Sequence, residues 1–332
     1  MRALILAPFT DSCIERLSAR VDVAYESWLE TGRLQDPEAL GRRLADDDIA
    51  VLVVEADFVF EETFALAPCL RLVGTCRGAL NQVDVRAATA HGVAVVHAPG
   101  RNTNAVAEMT LGLLLALFRR LPDAHRLVAG AGWSDPAFGY RHLRGREVAG
   151  ATIGVAGFGR IGREVARKLG ALGAYVIAHD PLVDDGEIRA HGAEPVSLDE
   201  LASRADAVTL HVPDNAATRR MVDAAFLRRM RPDAFLVNTG SGAAVDADAL
   251  ADALASGLIA GAALDVFDGH PLPFSSRLLT APNLILTPHI GGATRETVER
   301  HSLMMTEEIE RLLDGRPLQH LVNPDYATAR AG

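Results

Sequence analysis

Cysteine is scarce: Cys13, Cys69 and Cys76 are the only three in the chain, an odd set with no close Cys-x-x-Cys spacing. This excludes a disulfide framework and a cysteine metal site, and it points to a reduced, intracellular protein. Basic residues are outnumbered, 33 against 43 acidic, for a net charge of -10, so no basic face is left over for a phosphate backbone. A nucleic-acid partner is therefore not expected. Long apolar runs are also missing. The longest spans residues 109–118, about half what a bilayer requires, and is bounded by Glu108 and by Arg119 and Arg120. The N-terminal MRALILAPFT has one basic residue and an apolar run too short for a signal peptide. The expectation is a cytoplasmic protein with no membrane span and no bound metal.

What is present is ordinary for a globular protein, with 49% hydrophobic and 23% charged residues in 332, enough for two domains with full cores. Short β-branched runs at 3–7, 21–25, 49–54, 71–75 and 93–97 alternate with amphipathic segments such as 37–45 and 84–91. Runs apolar on both faces and separated by helices indicate a parallel sheet. Asn102-Thr103-Asn104 then offers an N-cap for an apolar helix ending at Arg119-Arg120 and Pro122, which reads as the start of a second domain. Residues 130–150, rich in glycine with Trp133 and Phe138, read as a long exposed loop or arm.

From Thr152 the alternation restarts and predicts six strands, at 152–156, 174–178, 207–212, 234–238, 259–266 and 284–287. Ser197-Leu198-Asp199-Glu200 matches a capping box, and Gly173 and Gly257 fall where helix ends need a left-handed residue. Six parallel strands make a complete doubly wound nucleotide-binding sheet. A final helix near 293–313 and the tail ending in LVNPDY have no seventh strand to pair with, and are expected to return to the first domain.

The first strand of this second set runs into Gly157-Phe158-Gly159-Arg160-Ile161-Gly162, the G-x-G-x-x-G spacing. The first glycine permits a tight turn, the second lets backbone approach a pyrophosphate, and the third lets helix and strand pack closely. Alone the hexapeptide is a weak signal. Here a strand precedes it, a helix with Ile161, Val165, Leu169 and Leu172 on one face follows, and the next strand leads to Asp180. A carboxylate there accepts hydrogen bonds from ribose hydroxyls and repels a 2′-phosphate, so NAD is expected over NADP.

In such a sheet ligands bind beyond the carboxyl ends of the strands. The residues there are His211-Val212-Pro213, Asn238-Thr239-Gly240-Ser241, the segment from Asp265 to His270, and Pro288-His289 within LILTPHIGGAT. Three of the four segments carry an imidazole. A lone loop histidine is more often a surface residue, but three on one edge above a nucleotide site point to function for at least one.

The motifs GFGRIG, HVPDNAATR, VNTGSGAAVDADAL, GAALDVFDGHPLP and TPHIGGAT, with VDVRAATAHGVAVVHAPGRNTNAVAE before them, resemble the D-isomer-specific 2-hydroxyacid dehydrogenases over almost the whole chain. The resemblance implies two Rossmann-like doubly wound parallel-sheet domains, an NAD domain at 101–290 inserted into a flavodoxin-like substrate domain at 1–100 and 291–332. It further implies an interdomain active site and a homodimer. By resemblance, His289 gives or takes the hydroxyl proton during hydride transfer, and Asp265 lies near the nicotinamide amide. Thr239, Gly240, His211, Val212 and Pro213 form the cofactor wall. Val106, Arg160, Ile161, Thr218 and Gly291 complete the cofactor set. The loop Arg77-Gly78-Ala79 falls where backbone amides hold the substrate carboxylate.

Two positions depart from the family. Ser241 stands where an arginine usually clamps the 2-oxo acid, and His270 stands where a glutamate usually orients the catalytic histidine; Asp268 is two residues early. A serine offers one neutral donor in place of a bidentate charged pair. Losing such a partner costs about 2–5 kcal/mol, while a retained acid–base group still contributes about a hundredfold to ten-thousandfold. Arg77 and Arg101 are the candidates for a replacement cation. The leading reading is an NAD-dependent oxidoreductase acting on a 2-hydroxy or 2-oxo acid, or a sugar acid, through His289, His270 and Ser241. The alternatives are a catalytically silent NAD-binding regulatory protein and an enzyme with tightly held NAD running a net non-redox reaction such as epimerisation.

Overall fold

The computed structural model describes residues 1–330 and divides into two compact units, Met1–Arg101 with the chain from Thr294 onward, and Asn102–Ala293. Both are α/β units built on a parallel sheet.

The first unit carries β1 (Arg2–Ile5), β2 (Asp22–Tyr25), β3 (Ile49–Val54), β4 (Leu72–Thr75) and β5 (Ala94–His97) in the order β2-β1-β3-β4-β5, which is flavodoxin-like. Every residue of β3 and β4 is buried, as both faces of a central parallel strand must be. The helix Pro37–Asp46 starts with proline in its first turn, and the Asp36 carboxylate accepts from the amides of Glu38 and Ala39. The last long helix, Arg295–Leu313, packs on this sheet, with Met305 and Ile309 fully buried in the same apolar cluster as Ile5, Val53 and Leu72.

The tail pairs where no strand was expected. Leu321 makes an antiparallel bridge to Val96, the free edge of β5. Asn323 then accepts from the Val95 amide and donates to the Val93 carbonyl, at 2.8 and 2.9 Å. A single buried side chain satisfies an open sheet edge in this way.

The second unit carries seven strands, not six: β6 (Thr152–Ala156), β7 (Tyr175–His179), β8 (Glu194–Pro195), β9 (Ala207–Leu210), β10 (Phe235–Asn238), β11 (Gly261–Leu264) and β12 (Leu284–Leu286). Their order is β12-β11-β10-β9-β6-β7-β8. β8 escapes sequence reading because two residues, one a proline, carry no periodicity. The capping box at Ser197 and Glu200 forms as expected, and Gly173 and Gly257 are left-handed, at φ 81° and 68°. The stretch read as an irregular arm contains a helix at Phe138–His142, preceded by another at Leu121–Ala129. Short helices without a buried face give little sequence signal. Among the described residues, no helix is long and apolar enough to cross a membrane.

Candidate active site

The strand register of the second unit determines which side chains can meet. Ala156 pairs with Leu210, Leu210 with Asn238, Asn238 with Leu264, and Leu264 with Leu286. The residue after each therefore forms one row along the carboxyl edge: Gly157, His211, Thr239, Asp265 and Thr287. This is the edge at which doubly wound sheets bind ligands.

At the start of that row, Gly157 has φ 88°, and a Cβ there would lie 2.8 Å from the His211 carbonyl carbon and oxygen. A Cβ on Gly162 would lie 2.0 Å from the Gly157 carbonyl oxygen, so helix and strand approach as closely as only glycine permits. Nothing stands within 4 Å of where a Gly159 Cβ would be, so the amino end of the helix Arg160–Ala171 opens on free space. Its N-cap residue, Gly159, offers no side chain to cap the first turn, which leaves those amides for an anion. Arg160 and Ile161 form that first turn. Asp180 reaches back to the loop: one carboxylate oxygen accepts the Phe158 amide at 2.7 Å, and the other accepts the Leu182 amide at 2.9 Å. These residues fit a dinucleotide, with a glycine cradle for phosphates and a fixed carboxylate beside it.

His211 lies next in the row. Its Nε2 is 3.1 Å from the Thr209 hydroxyl, and its Nδ1 is 3.5 Å from the Thr239 hydroxyl. Burial pushes this ring down to about 3, so the imidazole is neutral at any working pH. The Thr239 hydroxyl continues to Thr110 at 2.8 Å, and Thr110 donates to the Val106 carbonyl, tying the helix Thr103–Phe118 to the sheet edge. Thr218 donates to the Pro213 carbonyl, closing the turn after Val212.

The Asn238 side chain folds the next loop by donating to the Ser241 carbonyl at 2.7 Å and accepting the Gly240 amide at 3.1 Å. Gly242 packs so tightly that a Cβ would sit 1.9 Å from the Phe267 carbonyl carbon. Ser241 is thereby held at the sheet edge, half-buried.

Asp265, 1% exposed, takes three hydrogen bonds, all from the last loop. They come from the Thr287 hydroxyl at 2.6 Å, the Ile290 amide at 2.9 Å and the Gly291 amide at 2.7 Å. Between those donors His289 adopts φ 58°, a left-handed conformation that non-glycine residues seldom hold. The His289 ring lies 5.0 Å from the ring of His270, and His270 in turn lies 5.9 Å from Phe267. Arg219 bridges Asp268 to Asp214 at 3.2 Å on each side.

In the first unit, Arg101 pairs with Glu55 at 2.5 Å and donates to Nδ1 of His301 at 2.6 Å. Trp28 also donates to Glu55, and Nε2 of His301 donates to the Pro8 carbonyl at 2.7 Å. Burial pushes His301 down to about 4, which keeps one ring nitrogen free to accept from Arg101. Arg77 has a different environment. Its carbonyl accepts the Ala98 amide, and the Gly78 carbonyl lies 3.1 Å from Nδ1 of His97. Its guanidinium has no ion-pair partner among the described residues. Burial, and then the neighbouring Arg101, lower its pKa from the ordinary arginine value, with Glu55 pulling the other way. Gly78 and Ala79 are exposed beside it.

The structure thus gathers the glycine loop with Asp180, His211 with Thr239, and Asp265 with Gly291, His289 and His270. It places Arg77, Gly78, Ala79 and Arg101 in the other unit. Sequence reading passed over Thr287, Glu55 and His301. Thr287 alone had a readable signal, as the first residue after a strand beside Asp265.

The family model described as D-isomer specific 2-hydroxyacid dehydrogenase, NAD binding domain, matches residues 111–291. The chain is 39% identical over 274 residues to the D-3-phosphoglycerate dehydrogenase of Mycobacterium bovis, covering 82% of this chain and 51% of that protein. It is 36% identical over 296 residues to the glyoxylate reductase of Thermofilum pendens, covering 88% and 86%. A crystal structure of a Thermus thermophilus protein matches with a TM-score of 0.85 and 33% identity over 97% of this chain and 100% of that one. The chain spans about half the length of the phosphoglycerate dehydrogenases it matches, 51% in the Mycobacterium bovis protein.

Proposed function

The chain belongs to the D-isomer-specific 2-hydroxyacid dehydrogenase family, and from that premise we propose that it interconverts a 2-hydroxy acid and its 2-oxo acid with NAD as the hydride carrier. The observation that carries this reading is the single edge of the second unit, which holds a glycine cradle, the Asp180 carboxylate and a loop presenting His289. When bound, NADH would supply the hydride that enters C2 in reduction, and NAD would accept the hydride that leaves C2 in oxidation. Gly157, Gly159, Gly162, Arg160 and Ile161 hold its phosphates, and Asp180 its adenosine ribose. His211, Val212, Pro213, Thr218, Thr239, Gly240, Val106 and Gly291 wall the cofactor. His289 gives its proton to the 2-oxo oxygen during reduction and takes it back during oxidation, so charge on the substrate oxygen never accumulates.

In this reading the substituted positions define an atypical site. Ser241 donates one neutral hydrogen bond where a guanidinium would donate two. His270, beside His289, cannot stabilise an imidazolium as a carboxylate would. Of the two arginines considered as a replacement cation, Arg101 is taken up by Glu55 and His301, whereas Arg77 forms no ion pair among the described residues. We assign the substrate carboxylate to Arg77, with Gly78 and Ala79 beside it, and leave Arg101 a supporting role.

The test is NADH consumption with glyoxylate, hydroxypyruvate and a panel of sugar-derived 2-oxo acids. Turnover on at least one, abolished by His289→Asn, is the expected result. NAD that binds without turnover on any of them would favour the regulatory reading, and NAD released only on denaturation the non-redox one. Ser241→Arg with His270→Glu should raise kcat/KM on simple 2-oxo acids about tenfold or more, because a restored charged pair is worth about 2 kcal/mol or more. The chain is further read as a cytoplasmic homodimer, in keeping with its three free thiols and with exposed Leu121, Trp133 and Tyr140. A solution mass near 35.3 kDa rather than twice that would remove the dimer.

A further inference from the structure

The carboxylate of Asp265 has a more specific task than contact with a cofactor. Its two oxygens accept three hydrogen bonds, and every donor lies in the loop that carries His289, two residues before it and one and two residues after it. Thr287 is itself fixed to the sheet, its amide donating to the Leu264 carbonyl at 3.0 Å. His289 between these points is left-handed at φ 58°, and its own amide turns back to the Thr287 carbonyl at 3.0 Å. A non-glycine residue holds that conformation only where its surroundings overdetermine it, and such outliers cluster at functional sites. Gly291 shows how closely the carboxylate is embraced, because a Cβ there would lie 2.8 Å from the nearer Asp265 oxygen.

We propose that Asp265 is the positioning residue for His289: by pinning Thr287, Ile290 and Gly291 it holds the loop left-handed, and so sets where the His289 ring points. The inference deepens the assignment of His289 as the proton carrier and rests on it. Asp265 is bound by the Thr287 hydroxyl and by two backbone amides of the loop, so it acts on the reaction through the geometry of that loop. The nearer oxygen of the Gly291 contact keeps one lone pair for a further donor, so a cofactor contact and the positioning role are compatible.

Asp265→Asn tests this, because an amide nitrogen cannot accept and at least one loop amide loses its partner. Two readouts are taken on the full chain. The first is the His289 imidazole proton resonance without substrate, assigned by its loss in His289→Asn. The second is kcat at saturating NADH beside the Kd for NADH. The expected result is a moved or broadened His289 resonance with those of His211 and His301 unchanged, and a fall of tenfold or more in kcat with Kd within about threefold. Thr287→Val, which removes one donor and leaves the two amides, should do the same to a smaller degree, and it carries the test alone if Asp265→Asn does not fold. An unmoved His289 resonance in the folded variant overturns the proposal, as does a loss confined to NADH affinity. If the wild-type chain turns over no substrate, the assignment of function fails, and the resonance still decides whether Asp265 holds His289.

Discussion

The two units solve one architectural problem and put different chemistry on the result. Each winds helices around an all-parallel sheet, yet the residues that follow the strands differ in kind. In the second unit the edge reads Gly157, His211, Thr239, Asp265 and Thr287, small or hydrogen-bonding groups that give backbone and dipoles to a ligand. In the first unit the residues following β3 and β4 include Glu55 and Arg77, and Glu55 pairs with Arg101 while Arg77 forms no ion pair among the described residues. Their histidines differ as well: His211 is half-buried and His301 buried, and both are neutral, whereas His289 is exposed on a strained loop. The fold supplies an edge, and a handful of residues after the strands decides what the edge does.

That contrast can be broken experimentally. The largest effect is expected at His289, where His289→Asn should lower kcat about a hundredfold or more, the value of a lost general acid–base, with NADH affinity nearly unchanged. Pre-steady-state rates with saturating NADH check it. Arg77→Met should act differently, raising KM for the 2-oxo acid about tenfold to a hundredfold, since a hydrogen-bonded charge contributes about 1.5–3 kcal/mol. If both variants lowered kcat alone, the division of labour between the units would be wrong. Asp180→Ala should narrow the preference for NAD over NADP about tenfold, or about 1.4 kcal/mol, as titration of the two dinucleotides would reveal.

The smallest effect is on stability against pH, and it treats the units alike. His211 and His301 have folded values below the unfolded one, about 3 and about 4. The unfolded chain therefore binds more protons as pH falls, and the stability each contributes is complete well above about 6.5 and lost on the way down to its folded value. Each should account for about 1 kcal/mol by pH 6. Denaturant titrations from pH 8 to 5 should show this slope, and His211→Gln should flatten it only for the transition of the second unit.

Much of the fold was legible because its signals are local. Alternating β-branched runs, the glycine loop, the capping box at Ser197 and the glycines ending helices depend on neighbours in sequence. β8, two residues long, carries no pattern, and the Leu321 bridge depends on where β5 leaves an edge unpaired. The short helix Phe138–His142 was missed because it buries nothing that would impose a period.

The sequence by itself determined the two parallel sheets, the dinucleotide cradle and the identity of the groups at the strand ends, because periodicity and glycine spacing are properties of the chain. By resemblance it also marked Ser241 and His270 as expected departures from the family pattern. Which carboxylate serves which cation was decided only in three dimensions. Glu55 and His301, 246 positions apart in number, both close on Arg101, and Arg219 joins Asp214 to Asp268. The left-handed turn at His289 belongs to the same class. It follows from the register that sets Asp265 opposite Thr287, and a register exists only once strands have paired.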